Sequence, residues 1–352
     1  TDDDAAPYVH FNSGNSTTIT EGNNGDVNPV NFTLTLSDTS EKAITIPYVI
    51  EAVTNPADGG DFWNPGPVGG GQDYTSSASS ITINPLQSLI SGTIEISIVG
   101  DVIDEYDESF TISLGTLVNV LEHPNADKKK TWTYTIEDND NAPSASISAD
   151  ADVVEATARE ATITLSSVSE KITHFSVSAT AGTATESADE GNDGGDFYFT
   201  EDINTVSIPA GEISGAINIS GFNDGKYEGN ETFTLTVVSD SSSNATINTS
   251  TATFTLIDDD VKSNLSFAGT SQFVDEDVTD GIVLIPMSLN KASGFDTEIT
   301  FSVINADDAD AASNPADYGV TITPITIPSG QTTANISVTI EDDFSDEVNE
   351  TI

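Results

Sequence analysis

Residues 222–237 read Phe222-Asn-Asp-Gly-Lys-Tyr-Glu-Gly-Asn-Glu231-Thr-Phe233-Thr-Leu235-Thr-Val237. The second half of this stretch decides the fold. Phe233, Leu235 and Val237 alternate with threonines, and period two places them on one face of a β-strand with the polar residues on the other. The first half is a turn-forming run of Asn, Asp and Gly loaded with carboxylates. An acidic loop therefore leads directly into a half-buried strand.

The same pattern recurs along the chain. Apolar alternation marks Val30-Phe32-Leu34-Leu36, Ile94-Ile96-Ile98, Phe110-Ile112-Leu114, Trp132-Tyr134-Ile136 and Ile336-Val338-Ile340. Short strands punctuated by Gly, Asn, Asp and Pro indicate an all-β chain of antiparallel sandwiches. The acidic loop recurs too. Gly-Asp-Val-Ile-Asp-Glu-Tyr-Asp-Glu-Ser-Phe at 100–110 and Asp-Asp-Phe-Ser-Asp-Glu-Val-Asn-Glu-Thr-Ile at 342–352 parallel residues 222–233. Asp73, Asp196 and Asp317 are 123 and 121 residues apart, and Glu108, Glu231 and Glu350 are 123 and 119 apart. A fixed period in three copies is the signature of a tandem array. The expected repeats are 5–140, 141–260 and 261–352. Glu21 to Asp73 spans 52 residues, whereas Glu155–Asp196 and Glu276–Asp317 each span 41. The first copy thus carries a loop insert at about 55–72, rich in Gly and Pro and bearing Phe62-Trp63. Those two rings are expected to fold back over their own sandwich, the alternative being a platform for a sugar or a neighbour.

Both ends fit an array. Asp2-Asp3-Asp4-Ala5-Ala6-Pro7 resembles Asp138-Asn139-Asp140-Asn141-Ala142-Pro143, so residues 1–4 read as the tail of a preceding repeat. Ile352 aligns with Phe110 and Phe233, so repeat three is expected to lack its last strands here, the natural chain continuing. Such an open sheet edge is an association hazard.

Composition narrows the function. The chain has 352 residues, 58 Asp plus Glu against 9 Lys plus Arg, and a formal net charge of −49. That excludes the basic footprint of a nucleic-acid binder and disfavours an anionic membrane surface. Cations are the natural partners. There is no cysteine, so disulfides and thiolate metal sites are excluded. No apolar run is long enough to span a membrane. His10, His123 and His174 occupy different repeat positions and suggest no catalytic or metal trio. Lys128-Lys129-Lys130 is the only basic run and reads as a hairpin tip or a contact for an acidic neighbour. Sequons occur at Asn15, Asn31, Asn248 and Asn264, as expected in a chain so rich in Asn and Thr. No motif nominates a catalytic pair, and the chain is expected not to be an enzyme.

The motifs Gly71-Gln72-Asp73-Tyr74 and Asp258-Asp259-Asp260, with the three acidic loops, resemble the Calx-beta domain of sodium–calcium exchangers, integrin β4 and bacterial surface proteins. The resemblance covers nearly the whole chain. It implies seven-stranded immunoglobulin-like sandwiches that bind calcium at one tip. It also implies a ligand set: Glu21, Asp73, Asp101, Glu105, Glu108, Asp138 and Asp140 in repeat one. Repeat two offers Glu155, Asp196, Asp224, Glu228, Glu231, Asp258, Asp259 and Asp260. Repeat three offers Glu276, Asp317, Asp342, Asp343, Glu347 and Glu350. Gly100 and Asn223 depart from the family pattern where it has Asp, and Asn139 interrupts the Asp run. Calcium takes six to eight hard oxygen ligands, so several loops must converge on each ion. The expected role is an extracellular, calcium-stiffened stalk or spacer of a cell-surface adhesin, its partners being neighbouring repeats of the same chain. A filament or surface-layer subunit contacting its like, and a spacer of a secreted enzyme, are the competing expectations.

Overall fold

The computed structural model describes residues 4–12, 15, 17–53, 73–76, 79–86, 93–125, 127–148, 152–187, 195–239, 243–304, 311–312, 314, 316–342 and 349–352. The insert at 55–72 with Phe62-Trp63, and Asp2-Asp3, lie outside them. The described residues form strands and one 3₁₀ turn, Thr279–Gly281.

The first repeat contains β1 (Tyr8–Phe11), β2 (Thr18–Thr20), β3 (Val27–Leu36), β4 (Ile44–Val53), β5 (Tyr74–Ser76), β6 (Ser80–Ile83), β7 (Thr93–Val99), β8 (Glu108–Leu114), β9 (Leu121–Glu122) and β10 (Thr131–Glu137). The second contains β11 (Ser144–Ser148), β12 (Val153–Val154), β13 (Ala158–Leu165), β14 (Thr173–Ala181), β15 (Phe197–Phe199), β16 (Val206–Ile208), β17 (Ser214–Gly221), β18 (Glu231–Ser239), β19 (Thr246–Thr249) and β20 (Thr251–Ile257). Each makes two five-stranded sheets in the same order: β5-β7-β3-β1-β9 with β2-β10-β8-β4-β6, then β15-β17-β13-β11-β19 with β12-β20-β18-β14-β16. These are immunoglobulin-like sandwiches.

The first strand of each repeat is divided: it begins in one sheet as β1 or β11 and ends in the other as β2 or β12. There it pairs in parallel with the strand that leaves the repeat. Thr20 lies opposite Glu137, and Val154 lies opposite Ile257. Entrance and exit are thus neighbours at one tip, and six or seven residues then carry the chain to the next strand, at Ser144 or Leu265.

The alternating apolar residues fill the sandwiches as the period-two pattern predicts. In repeat one, Phe32, Phe110 and Tyr134 are buried and meet at 5.2–6.2 Å, with both contacts of Phe32 edge to face. In repeat two, Phe233 stacks on Phe197 at 3.8 Å and on Phe254 at 5.3 Å. The intervening threonines line up across the outer face, as in the Thr234–Thr253 hydroxyl pair at 3.0 Å.

Repeat three is built on the same plan with fewer strands. β21 (Leu265–Phe267), β22 (Ile282–Leu289), β24 (Tyr318–Val320) and β26 (Thr333–Ile340) form one sheet in the order β21-β22-β26-β24. β23 (Thr297–Ile299) pairs only with β25 (Ile325–Ile327). Positions corresponding to β8 begin at Glu350. Among the described residues the second sheet is the β23–β25 pair alone, the core is smaller and centred on Met287, Ile327 and Ile336, and Phe267, Phe273 and Ile304 stand exposed.

Because each complete repeat has its own core, a core defect should stay local. Phe233→Ala removes a fully buried ring between two aromatic neighbours and should destabilise repeat two by about 3–5 kcal/mol. Differential scanning calorimetry should show one transition moving down and that of repeat one staying in place. A uniform shift of all transitions would mean that the repeats do not melt as separate units.

Candidate metal centre

The parallel pairing fixes where the first candidate ligand goes. The backbone N–H of Glu21, one residue past β2, donates to the Glu137 carbonyl at 3.1 Å. Glu21 is thereby set beside Asp138, the first residue past β10. In repeat two the Glu155 N–H donates to the Ile257 carbonyl at 3.2 Å, which sets Glu155 beside Asp258. The carboxylates of Glu21, Asp138 and Asp140 gather within 4.8 Å of one another, as do those of Glu155, Asp258 and Asp260. Glu21 is 3% exposed and Glu155 6%. Glu21 Oε1, Asp140 Oδ2, Glu155 Oε2 and Asp260 Oδ2 are buried without a hydrogen-bond partner. Burying an ionised carboxylate oxygen with nothing to bind is costly.

The acidic loop is pinned to the same tip. Glu105 N donates to Asp138 Oδ2 at 3.0 Å, and Glu228 N to Asp258 Oδ2 at 2.8 Å. Asp140 N and Asp260 N each donate to Oδ1 of the Asp two residues earlier, at 2.8 Å. Asp101 and Asp224 cap the turn that starts the loop, accepting from the N–H of Ile103 and Lys226 at 2.7 Å. Asp101 spends one carboxylate oxygen on the loop, whereas Asp138 and Asp258 spend both, accepting at Oδ1 and at Oδ2.

A third element closes the cluster. Asp73 at the start of β5 meets Glu108 at the start of β8, carboxyl to carboxyl, and Asp196 meets Glu231 in the same way. Glu21 and Asp140 form another such pair. Two carboxyls can touch only when a proton or a metal ion lies between them. Burial first, then the neighbouring carboxylates, pushes Glu21 and Glu155 up to about 8, Glu231 to about 7, Glu108 to about 9 and Glu105 to about 10. Burial raises Asp73 to about 6, although its contact with Glu108 opposes the shift.

All seven candidates of repeat one are thus brought to one tip, and in repeat two Asp258 and Asp260 turn inward while Asp259 is exposed, its charge still acting on Glu155. Repeat three differs. The sequence pattern puts Glu276 on the first strand. It is instead exposed in a turn outside any strand, because the exit strand that would pair with its segment is not among these residues. Asp317 is half-buried, Asp342 and Glu350 are exposed, and Asp343 and Glu347 lie outside the described residues.

Two of the three departures from the expected ligand pattern, Gly100 and Asn139, have a local cause. Gly22 has φ +102°, and a Cβ on Gly100 would lie 2.7–2.8 Å from the Gly22 carbonyl group, so Gly100 is forced by two backbones in contact. Asn139 is not a gap in the site wall: its Oδ1 accepts from the Gly22 N–H at 2.9 Å and holds the Glu21 segment in place.

The Calx-beta domain model matches residues 66–140, 138–260 and 262–352. The chain belongs to the Calx-beta family. Among solved structures it is similar to CBD12 from CALX1.2 (13% identity, covering 71% of this chain and 99% of that one, TM-score 0.28). It is also similar to CBD12 of CALX1.1 (14%, 65% and 78%, 0.28) and to the apo form of Calx CBD1 (16%, 34% and 100%, 0.27). No curated protein matches it.

The Calx-beta ligand pattern says nothing of what the next repeat brings to each tip, and sequence reasoning missed it. Asp104 is buried and receives Ser169 Oγ at 2.7 Å and Lys171 Nζ at 2.8 Å, both from repeat two. Lys171 also reaches Asp138 at 3.3 Å. At the second joint Lys291 pairs with Asp260 at 2.8 Å, and Tyr227 packs edge-on against Phe295 at 6.0 Å. A signal was available: Ser-Glu-Lys occurs at both 40–42 and 169–171, after aligned strands.

The raised carboxyls set a pH dependence. A carboxyl whose pKa rises on folding stabilises the fold while protonated and loses that contribution as pH climbs from its unfolded to its folded value. For the metal-free chain this window runs from the ordinary glutamate value of 4.5 up through about 8 for Glu21 and Glu155. The melting temperature in chelator should therefore fall between about pH 5 and about pH 8, and saturating calcium should remove most of that fall. Thermal melts at both pH values check this. Curves independent of pH in chelator would contradict the packing of these acids.

Proposed function

We propose that this chain is a calcium-binding spacer, in which ions held at each tip stiffen the joint to the following repeat. The observation that carries this reading is the recurrence, at both complete tips, of a buried unpartnered glutamate oxygen beside the first and third residues of the exit segment. Glu21 with Asp138 and Asp140, and Glu155 with Asp258 and Asp260, tie the strand entering a repeat to the strand leaving it. The donors are all hard oxygens, which suit calcium rather than a transition metal. A cation there would neutralise the like charges, supply the buried oxygens with a partner and hold the exit segment to the domain body.

The wider role follows as part of the same proposal. An acidic, repetitive chain with no assembled catalytic constellation among its described residues suits an extracellular stalk, where calcium is plentiful and modules of this affinity range, about 10⁻⁴–10⁻³ M, are loaded. No described helix is long and apolar enough to cross a membrane. Its partners on this reading are its own neighbouring repeats.

At free calcium ten times the dissociation constant, each ion adds about 1.4 kcal/mol to the stability of its repeat. Melting the chain in calcium and in excess chelator should separate the curves by several degrees, and magnesium should restore little because it demands a tight octahedron. Glu155→Gln with Asp258→Asn should abolish the calcium response of repeat two alone. Identical melts with and without calcium would refute the proposal.

A further inference from the structure

The two joints share a backbone contact and differ in one side chain. At the first, the loop between β13 and β14 reaches back to the tip of repeat one. Ser169 pairs with Asp104 as an isolated parallel bridge, and the Glu170 N–H donates to the Asp104 carbonyl at 3.0 Å. Ser169 Oγ, Lys171 Nζ and Asn244 Nδ2, all from repeat two, converge on the Asp104 carboxylate. At the second joint Ser293 pairs with Tyr227 in the same bridge, and the Gly294 N–H donates to the Tyr227 carbonyl at 3.0 Å. Glu170 and Gly294 are therefore equivalent positions.

Their surroundings differ accordingly. Glu170 is half-buried, and its carboxylate is the strongest charged neighbour of Glu105 and also acts on Asp73 and Glu108. Repeat two thus adds a carboxylate to a cluster that already contains seven from repeat one. Lys171 pairs with Asp104, outside the seven, and with Asp138, one of them. At the second joint the side chain of Glu228, the counterpart of Glu105, lies where a Cβ on residue 294 would be. Glycine there leaves repeat two's own glutamate to fill the space that Glu170 takes at the first joint.

A backbone-anchored carboxylate driven into an acidic cluster raises its energy unless a cation is shared. The same cluster holds Glu21 Oε1, 3% exposed and without a hydrogen-bond partner. We propose that Glu170 is a calcium ligand given by repeat two to the cation cluster of repeat one, so that an ion at the first joint is gripped by both domains. The second joint has no such ligand at the equivalent position. Its ions bind within repeat two, and its geometry is held by the Tyr227–Phe295 contact and the Lys291–Asp260 pair. This inference rests on the calcium reading and adds that only the first joint is locked directly by the ion.

The test uses the whole 352-residue chain, titrated with calcium chloride by isothermal calorimetry as wild type, Glu170→Gln and Glu155→Gln. Glu170→Gln should weaken one class of sites by on the order of tenfold, as loss of a charged ligand does. The class removed by Glu155→Gln should be untouched. Wild-type and Glu170→Gln isotherms that coincide would overturn the inference and leave the calcium reading standing. A wild type that takes up no calcium would overturn both. The chain has no cysteine, so spin labels at Glu95→Cys and Glu160→Cys, on exposed strand positions of repeats one and two, report the first joint alone. Calcium should narrow their distance distribution, and Glu170→Gln should abolish the narrowing. A distribution in the otherwise native chain that ignores calcium would also overturn the inference.

Discussion

The parallel pairing of β2 with β10, and of β12 with β20, is the constraint on which the rest of the structure depends. A repeat whose first strand crosses between sheets brings the residue after that crossing beside the residue at which the chain departs. Here both positions are acidic, Glu21 with Asp138 and Glu155 with Asp258, so folding forces like charges together. The energy of that encounter must be met by protons or by a metal ion. Raised carboxyls and orphaned oxygens are what the tip shows without the metal.

The same geometry couples the tip to the next repeat. Asp138 and Asp258 are ligand candidates, and they also receive the backbone of the acidic loop, while Asp138 and Asp260 take lysines from the next domain. Site and joint share atoms. An ion at the tip would therefore act on the orientation of the adjoining domain without any separate transmitting element. The two joints reach this with different contacts, a buried aspartate held by Ser169, Lys171 and Asn244 at one and an aromatic pair at the other.

Most of this was legible in the sequence where a residue acts within its own repeat. Period-two runs such as Phe233-Leu235-Val237 face the core because a strand leaves them no other place, and the steady spacing of Asp73, Asp196 and Asp317 shows that the array repeats. Glu21 and Glu155 could be singled out by resemblance, but their burial depends on the parallel register with the exit strand, which no local pattern encodes. Glu276 shows the consequence: the same type of residue at the same repeat position stays in solvent where no described strand pairs with its segment. The cross-joint groups were least legible. Asp104 is an ordinary acid in sequence, and the recurrent Ser-Glu-Lys marks Glu170 without telling that it turns toward the previous domain. Gly100 and Asn139 looked like defects in a ligand set, yet they are required by a backbone contact and by a hydrogen bond to Gly22.

On this account, protons stand at the two tips where metal ions belong. A crystal of the chain grown at neutral pH in millimolar calcium, studied at high resolution with anomalous scattering, tests this most directly. The account predicts ions at both complete tips, with oxygens of Glu21, Asp138 and Asp140, and of Glu155, Asp258 and Asp260, at about 2.3–2.6 Å from them. Tips that hold only water, with the carboxyls still paired with one another, would contradict it.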